Sequence, residues 1–160
     1  MCWRRTLMGR KVYLLLLNTD FDKFTHAYVE KYFQRCLFYG IFPSFYSVNA
    51  ADKPYWENAK WYDRDRDLFK KYIPLVKRVS AAGWEPVTYA HSSNPKVYVE
   101  RFGRGYITLL NAGHEEATAT ITLDLPRLGA GKNMVTLTED ISNTVLKPTV
   151  DGEKRVVVSV

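Results

Sequence analysis

The chain has 160 residues, of which 46% are hydrophobic and 25% are charged. This composition excludes a disordered or fibrous protein and predicts one globular domain of ordinary size or two small ones. The net charge is +6, but basic residues of the first half lie among acids, as in Asp63–Asp67. That pattern is typical of a solvated, ion-paired helix, and we therefore expect no nucleic-acid partner.

Membrane and disulfide classes are also disfavoured. Leu14–Leu17 is a run of four leucines, which is too short for a membrane span or a signal peptide, so we expect no membrane partner. Cys2 and Cys36 are too few for a disulfide framework and are interpreted as free thiols. His26, His91 and His114 are far apart in the sequence, so neither a metal site nor a cofactor is predicted.

The first 83 residues have the pattern of an α/β protein. Lys11–Leu17 is a continuous apolar run, which is typical of a strand buried on both faces. A helix is predicted from Thr25, as its N-cap, to Tyr39, with Gly40 ending it. Ile41–Phe45 follows as a second short buried strand.

A second helix is predicted to begin near Asp63 or Asp65, where acids complement the helix dipole, and to end at Gly83. Pro74 should kink this helix or break it in two. The order of the first half is therefore strand, helix, strand, helix.

From Trp84 onward the pattern is that of short strands, and a domain boundary is predicted at residues 83–86. The predicted domains are 1–83, a partial (β/α) barrel segment, and 84–160, an antiparallel β-sandwich. Gly103–Gly105 and Ala112–Glu115 are each predicted to be hairpin turns, Pro126–Lys132 a Gly-rich loop and Asp151–Gly152 a further turn. Six runs have strand character: Val87–Ala90, Lys96–Phe102, Gly105–Asn111, Ala117–Leu125, Met134–Glu139 and Arg155–Val160.

The loops after the two first-half strands carry the candidate binding residues. Binding in α/β folds occurs at the carboxyl ends of strands, and sugar rings stack on aromatic side chains while their hydroxyls need polar partners. Asp20 and Asp22 follow the first strand; their alternative interpretation is turn and cap chemistry. The second strand ends in a loop that combines aromatic with polar residues. Its candidate sugar-contact residues are Tyr46, Tyr55, Trp56 and Trp61, with Asp52 and Glu57 as further carboxylates.

Some of these aromatic residues have a second interpretation. Trp61 and Tyr62 could instead pack beneath the helix that follows. Trp56 is the candidate for which stacking and packing are most evenly matched.

Two βα units followed by a small β-sandwich resemble the carboxyl-terminal part of glycoside hydrolases that have a (β/α)8 barrel. The segments that carry the resemblance are Leu14–Asp22, Leu37–Ser44, Asp65–Gly83 and Tyr106–Asn111. It implies the last two βα units of a TIM-type barrel, and glycosidic-bond hydrolysis by two carboxyl groups. In such barrels the pair comes from middle strands, which would precede Met1, so no catalytic residue is assigned.

The resemblance implies that this chain alone is inactive, that its partner is carbohydrate, and that the apolar surface of residues 1–83 is exposed and promotes self-association. The alternative is a non-catalytic carbohydrate-binding or structural module. A basic nucleic-acid-binding protein is a third hypothesis. The sequence leaves the sugar, the linkage and the cellular location open.

Overall fold

A computed structural model describes residues 14–18, 20–46, 54–130, 136–150 and 155–159. The chain divides into two compact units, one formed by residues 10–81 and the other containing residues 82–160. In the described residues no peptide bond is cis, and no helix is long and apolar enough to cross a membrane.

The first unit begins with a strand, a helix and a second strand. Strand β1 (Leu14–Asn18) pairs in parallel with β2 (Phe42–Tyr46), and helix α1 (His26–Tyr39) connects them. Thr25 accepts a hydrogen bond from the backbone N–H of Tyr28 over 3.2 Å, which satisfies one free donor of the first turn. At the other end Gly40 has φ +59°, a conformation that favours glycine. The predicted bounds and caps of α1 are therefore confirmed.

Helix α2 (Ala59–Ala82) completes the first unit, and it begins earlier than predicted. Its start follows from Asn58, whose side chain accepts a hydrogen bond from the backbone N–H of Lys60 over 3.1 Å. Pro74 lies inside this continuous helix, so the predicted break into two helices is wrong. Pro74 is exposed, and its ring therefore does not displace a core side chain.

The core of the first unit is built mainly from aromatic rings. Helix α2 turns Leu68, Tyr72 and Val76 inward, and α1 contributes Val29, Phe33 and Cys36. The rings of Phe33 and Tyr72 stack at a centroid distance of 5.7 Å. The buried side chains of α1 therefore form one part of this core.

The second unit consists of short antiparallel strands. One sheet has the order β3-β5-β6, with strands Trp84–Glu85, Val97–Phe102 and Tyr106–Asn111. A second sheet has the order β10-β11-β7-β4, with strands Thr149–Val150, Arg155–Ser159, Thr120–Asp124 and Ala90–Ser92. Strands β8 (Leu137–Glu139) and β9 (Thr144–Leu146) form a separate pair.

Side chains from the first two sheets share one core. Val97 of β5 lies in it with Ile121 and Leu123 of β7, while Ile107 and Leu109 of β6 pack against its edge. Along β7 buried residues alternate with partly buried ones, and this alternation gives the strand its inward face. Residues of both antiparallel sheets therefore contribute to the core of the second unit.

Several predictions for the second unit need correction. Val87–Tyr89 are not strand residues, and β4 begins only at Ala90. The turn at Gly103–Gly105 does join the hairpin β5–β6, as predicted. Ala112–Glu115 does not close a hairpin, because β6 and β7 belong to different sheets. The predicted loop Pro126–Lys132 overlaps the short helix α3 (Leu125–Leu128). The predicted turn Asp151–Gly152 lies outside the described residues.

Candidate functional site

The two aspartates that follow β1 hold the local backbone and helix α2. The Asp20 carboxylate accepts a hydrogen bond from the backbone N–H of Asp22 over 3.0 Å. The Asp22 carboxylate accepts from Lys60 Nζ over 2.6 Å and from Trp61 Nε1 over 3.0 Å. The contact of Asp20 stabilises the local turn, and the contacts of Asp22 connect that turn to helix α2. Together they fix the positions of the two carboxylates after the strand.

The Asp22 carboxylate is stabilised in its ionised form. The hydrogen bond from Lys60, followed by that from Trp61, lowers the pKa of Asp22 below its ordinary value. The side chain is about half exposed, at 49%. A charged oxygen acceptor therefore faces water in the 3-10 turn Phe21–Lys23 that follows β1.

Tyr55 and Trp61 lie in the core and not on a surface. Tyr55 is 2% exposed and Trp61 is 4% exposed. The Phe21 ring contacts both, with centroid distances of 5.2 Å to Tyr55 and 5.1 Å to Trp61. Their ring faces are covered by protein, so the predicted stacking role does not fit either residue. Trp61 packs in the core, as its alternative interpretation held, but it does so from the first turn of α2 and not from a loop before that helix.

Tyr55 belongs to a buried polar network that the sequence analysis missed. Its hydroxyl donates to the carboxylate of Asp65 over 2.9 Å, and Asp65 is completely buried. Arg64 donates to both oxygens of Asp65, over 2.9 Å and 2.7 Å, and also to the carbonyl of Phe24 over 2.8 Å. Burial, together with the adjacent Asp65 charge, raises the pKa of the Tyr55 hydroxyl. This network fixes the loop that leads into α2.

Trp56 presents the exposed ring of the loop. It is 50% exposed, although its neighbour Tyr55 is buried. The 3-10 turn Tyr55–Glu57 places the two adjacent rings nearly perpendicular, at 89°. The Trp56 ring rests on Phe69, at a centroid distance of 4.8 Å, and on Tyr62, at 5.5 Å. We call Trp56, Tyr62 and Phe69 the aromatic surface.

The aromatic surface lies at the carboxyl end of β2. Phe45, the penultimate residue of that strand, lies 6.2 Å from Trp56 by ring centroids. The guanidinium of Arg66 lies 5.7 Å from the Tyr62 ring centroid, so the surface has a cation at its border. Glu57, next to Trp56, is exposed. An exposed ring with polar neighbours is suited to a ligand that has both an apolar face and hydrogen-bonding groups.

Tyr46 is exposed, at 55%, but it is not part of the aromatic surface. Side chains alternate along a strand, so Tyr46 points to the opposite face of β2 from Phe45. Among the described residues no ring contact joins Tyr46 to Trp56. The structure therefore does not bring all the predicted contact residues together, and Asp52 lies outside the described residues.

Other chemistries have little support in the described part of the chain. It contains no group of three or more His, Cys, Asp or Glu residues that could hold a metal ion. Cys36 is a buried free thiol, and its burial raises its pKa to about 12. Since the thiolate is the nucleophilic form, Cys36 is unsuited to nucleophilic catalysis.

Comparison of the chain with protein-family models, with curated proteins and with solved structures finds no match.

Proposed function

We propose that this chain is the carboxyl-terminal part of a glycoside hydrolase and that it contacts the sugar through Trp56. The observation that carries this proposal is the half-exposed Trp56 ring, held on Phe69 and Tyr62 at the carboxyl end of β2. Pyranose rings have apolar faces that pack on such a ring. The ionised Asp22, at the end of the neighbouring parallel strand, supplies an acceptor for hydroxyl groups.

The topology of the first unit supports a larger parent sheet. Among the described residues β1 and β2 pair only with each other, whereas parallel sheets are normally covered on both faces and extended at their edges. Leu14 of β1 is largely exposed. Further parallel strands would cover this surface. Without those strands, we expect the chain to self-associate and to bind a hydrophobic dye.

The alternative is a carbohydrate-binding module without catalysis. It is favoured by the hydrogen bonds of Asp22, because this carboxylate is already held by Lys60 and Trp61. Both proposals require sugar contact at Trp56, and they differ in whether hydrolysis occurs once further barrel strands are present.

The test of sugar contact is a fluorescence titration with a panel of neutral oligosaccharides. We expect quenching of tryptophan emission by the sugar that binds. Trp56→Ala should weaken binding by at least about tenfold, measured by calorimetry because this variant lacks the reporting ring. Tyr28→Ala is the matched control, since Tyr28 is equally exposed in the same unit and should leave affinity unchanged. A full panel without saturable binding, or equal loss in both variants, would contradict the proposal.

The test of the parent enzyme is the coding sequence before Met1, followed by expression of the extended chain. An open frame with further strand–helix patterns, whose product releases reducing sugar while the present chain does not, would support the hydrolase. A stop codon and a start signal directly before Met1 would leave the binding module as the function.

A further inference from the structure

We propose that Arg104 and Arg127, in the second unit, bind an oxyanion group, carboxylate or sulfate, carried by an acidic saccharide. The saccharide source rests on the proposed function, whereas the oxyanion chemistry does not. Neither arginine belongs to the aromatic surface. Arg104 lies in the turn of the hairpin β5–β6, and Arg127 lies in helix α3.

A buried arginine organises this end of the unit. Arg101 donates to the carbonyl of Val87 over 2.6 Å and to the carbonyl of Gly103 over 2.8 Å, and its guanidinium lies 3.5 Å from the Glu85 carboxylate. The charge of Arg101 is thereby compensated inside the unit. Its role is to fix the turn Gly103–Gly105, and through that turn the position from which Arg104 extends.

Tyr89 places a second arginine at the same end. The guanidinium carbon of Arg127 lies 5.9 Å from the Tyr89 ring centroid, and that of Arg101 lies 5.0 Å from it. Tyr89 has φ +49°, a conformation that is rare for a residue with a bulky side chain. Its carbonyl accepts a hydrogen bond from the backbone N–H of Asp124 over 3.0 Å. The backbone of Tyr89, with its unfavourable positive φ, thus holds the ring against both guanidinium groups.

Arg104 lies next to the helix that carries Arg127. Its side chain packs against Gly129, where Nη1 is 3.8 Å from the position a β-carbon would occupy. Within the described residues no hydrogen bond, ion pair or ring contact engages Arg104, and it is exposed. Its guanidinium therefore keeps its donors available, in the planar arrangement that suits a carboxylate or sulfate.

Arg127 is also only lightly engaged. Its Nε is 3.4 Å from Asp124 Oδ2, and its side chain is 70% exposed. A contact of this length between exposed groups contributes little, so an incoming anion can compete for the guanidinium. Three arginines and two acids, Glu85 and Asp124, leave this end with an excess of positive charge, which favours an anionic ligand over a neutral one.

The experiment is a calorimetric titration of the whole chain with an oligouronide, with its carboxyl-reduced neutral counterpart, with a sulfated oligosaccharide, with inorganic sulfate and with single-stranded DNA. We expect saturable binding of one or both acidic saccharides, and in the Trp56→Ala variant no binding of the reduced form. Arg104→Gln and Arg127→Gln should each weaken that binding about tenfold or more. Arg35→Gln, an exposed arginine of α1 in the first unit, is the matched control and should have no effect. Thermal unfolding by circular dichroism verifies that each variant is folded.

Each outcome decides the inference. Equal weakening by Arg35→Gln would show that net charge alone attracts the anion and would overturn the site. Failure to bind any anion would overturn it as well, and tighter binding of DNA with the same dependence on Arg104 would overturn the saccharide source. Trp56→Ala distinguishes the two proposals, because it should weaken neutral-sugar binding at least about tenfold and leave oligouronide binding at Arg104 unchanged.

Discussion

Trp61 donates its indole N–H to the carboxylate of Asp22 over 3.0 Å. This hydrogen bond joins the segment after β1 to the first turn of α2, 39 residues later. A carboxylate and an indole are side chains typical of a sugar-binding site, yet here the two bond to each other and stabilise the fold. The carboxyl end of β1 is therefore held in place by the helix that follows the aromatic loop.

Replacing Asp22 tests whether its role as a hydrogen-bond acceptor or its negative charge contributes more to the free energy of unfolding. Asp22→Asn keeps an oxygen that can accept from Trp61 and loses the ion pair with Lys60, whereas Asp22→Ala loses both. We expect Asp22→Ala to lower the free energy of unfolding more than Asp22→Asn, because it leaves the indole N–H of a buried tryptophan without its partner. Urea unfolding, followed by tryptophan fluorescence, measures the free energy of unfolding of the two variants. Equal effects of the two variants would mean that the indole hydrogen bond contributes nothing.

The buried Asp65 should be the most sensitive polar residue of the first unit. Asp65→Ala leaves the Arg64 guanidinium and the Tyr55 hydroxyl without their acceptor, and breaking such a pair costs about 3–5 kcal/mol. Tyr55→Phe removes only one donor and should cost about 1–2 kcal/mol. The free energy of unfolding in urea is the measurement. Asp63→Ala, an exposed aspartate of the same helix, is the control and should change it by less than about 0.5 kcal/mol. If Asp65→Ala behaves like Asp63→Ala, the buried network does not stabilise the unit.

Helix α1 and the pairing of the first two strands are predicted correctly from the sequence. Helix α1 has local signals at both ends, Thr25 as N-cap and Gly40 in the left-handed conformation, and its bounds follow from them. The parallel order of the first two strands follows from the helix that separates them. In both cases neighbouring residues carry the information.

Where the sequence misleads, distant contacts decide the structure. Tyr55 and Trp56 are adjacent aromatic residues in a single 3-10 turn, where no periodicity tells which ring is buried. The choice depends on Asp65, ten residues later, and on Phe69. Asp65 itself lies in an alternating charged run that is typical of a solvated helix start, and it is buried because α2 begins at Ala59.

Glu30 gives the first unit a pH dependence in the acid range. Its carboxylate accepts from Lys71 Nζ and from the Tyr72 hydroxyl, both over 3.0 Å. The hydrogen bond from Lys71 is the largest cause that lowers the pKa of Glu30. A carboxyl whose pKa is lower in the folded than in the unfolded state stabilises the fold above the unfolded pKa, about 4.3 for glutamate. That contribution disappears as pH falls through the lower, folded-state pKa.

The comparison that tests this is Glu30→Gln against the unaltered chain in urea between pH 3 and pH 7. We expect the variant to be less stable by a constant amount above about pH 5, and the difference to shrink below about pH 4. Glu57 is an exposed glutamate of the loop, and Glu57→Gln is the control, for which we expect no pH-dependent difference in stability. A stability difference that stays constant down to pH 3 would show that the Glu30 charge is not involved.

Pro74 should be a position at which the first unit can be stabilised. It lies inside α2, where a proline lacks the N–H that bonds to the carbonyl four residues earlier and its ring crowds that carbonyl. Pro74 is exposed, so Pro74→Ala restores the donor without opening a cavity. The greater freedom of alanine in the unfolded chain offsets about 0.4–1 kcal/mol of the gain. A proline inside a helix costs about 3 kcal/mol, so the net increase in the free energy of unfolding should be about 2 kcal/mol, read from the urea midpoint. Lys77→Ala on the same exposed face is the control, and a fall in the midpoint with Pro74→Ala would mean that the proline geometry is required for α2 to pack.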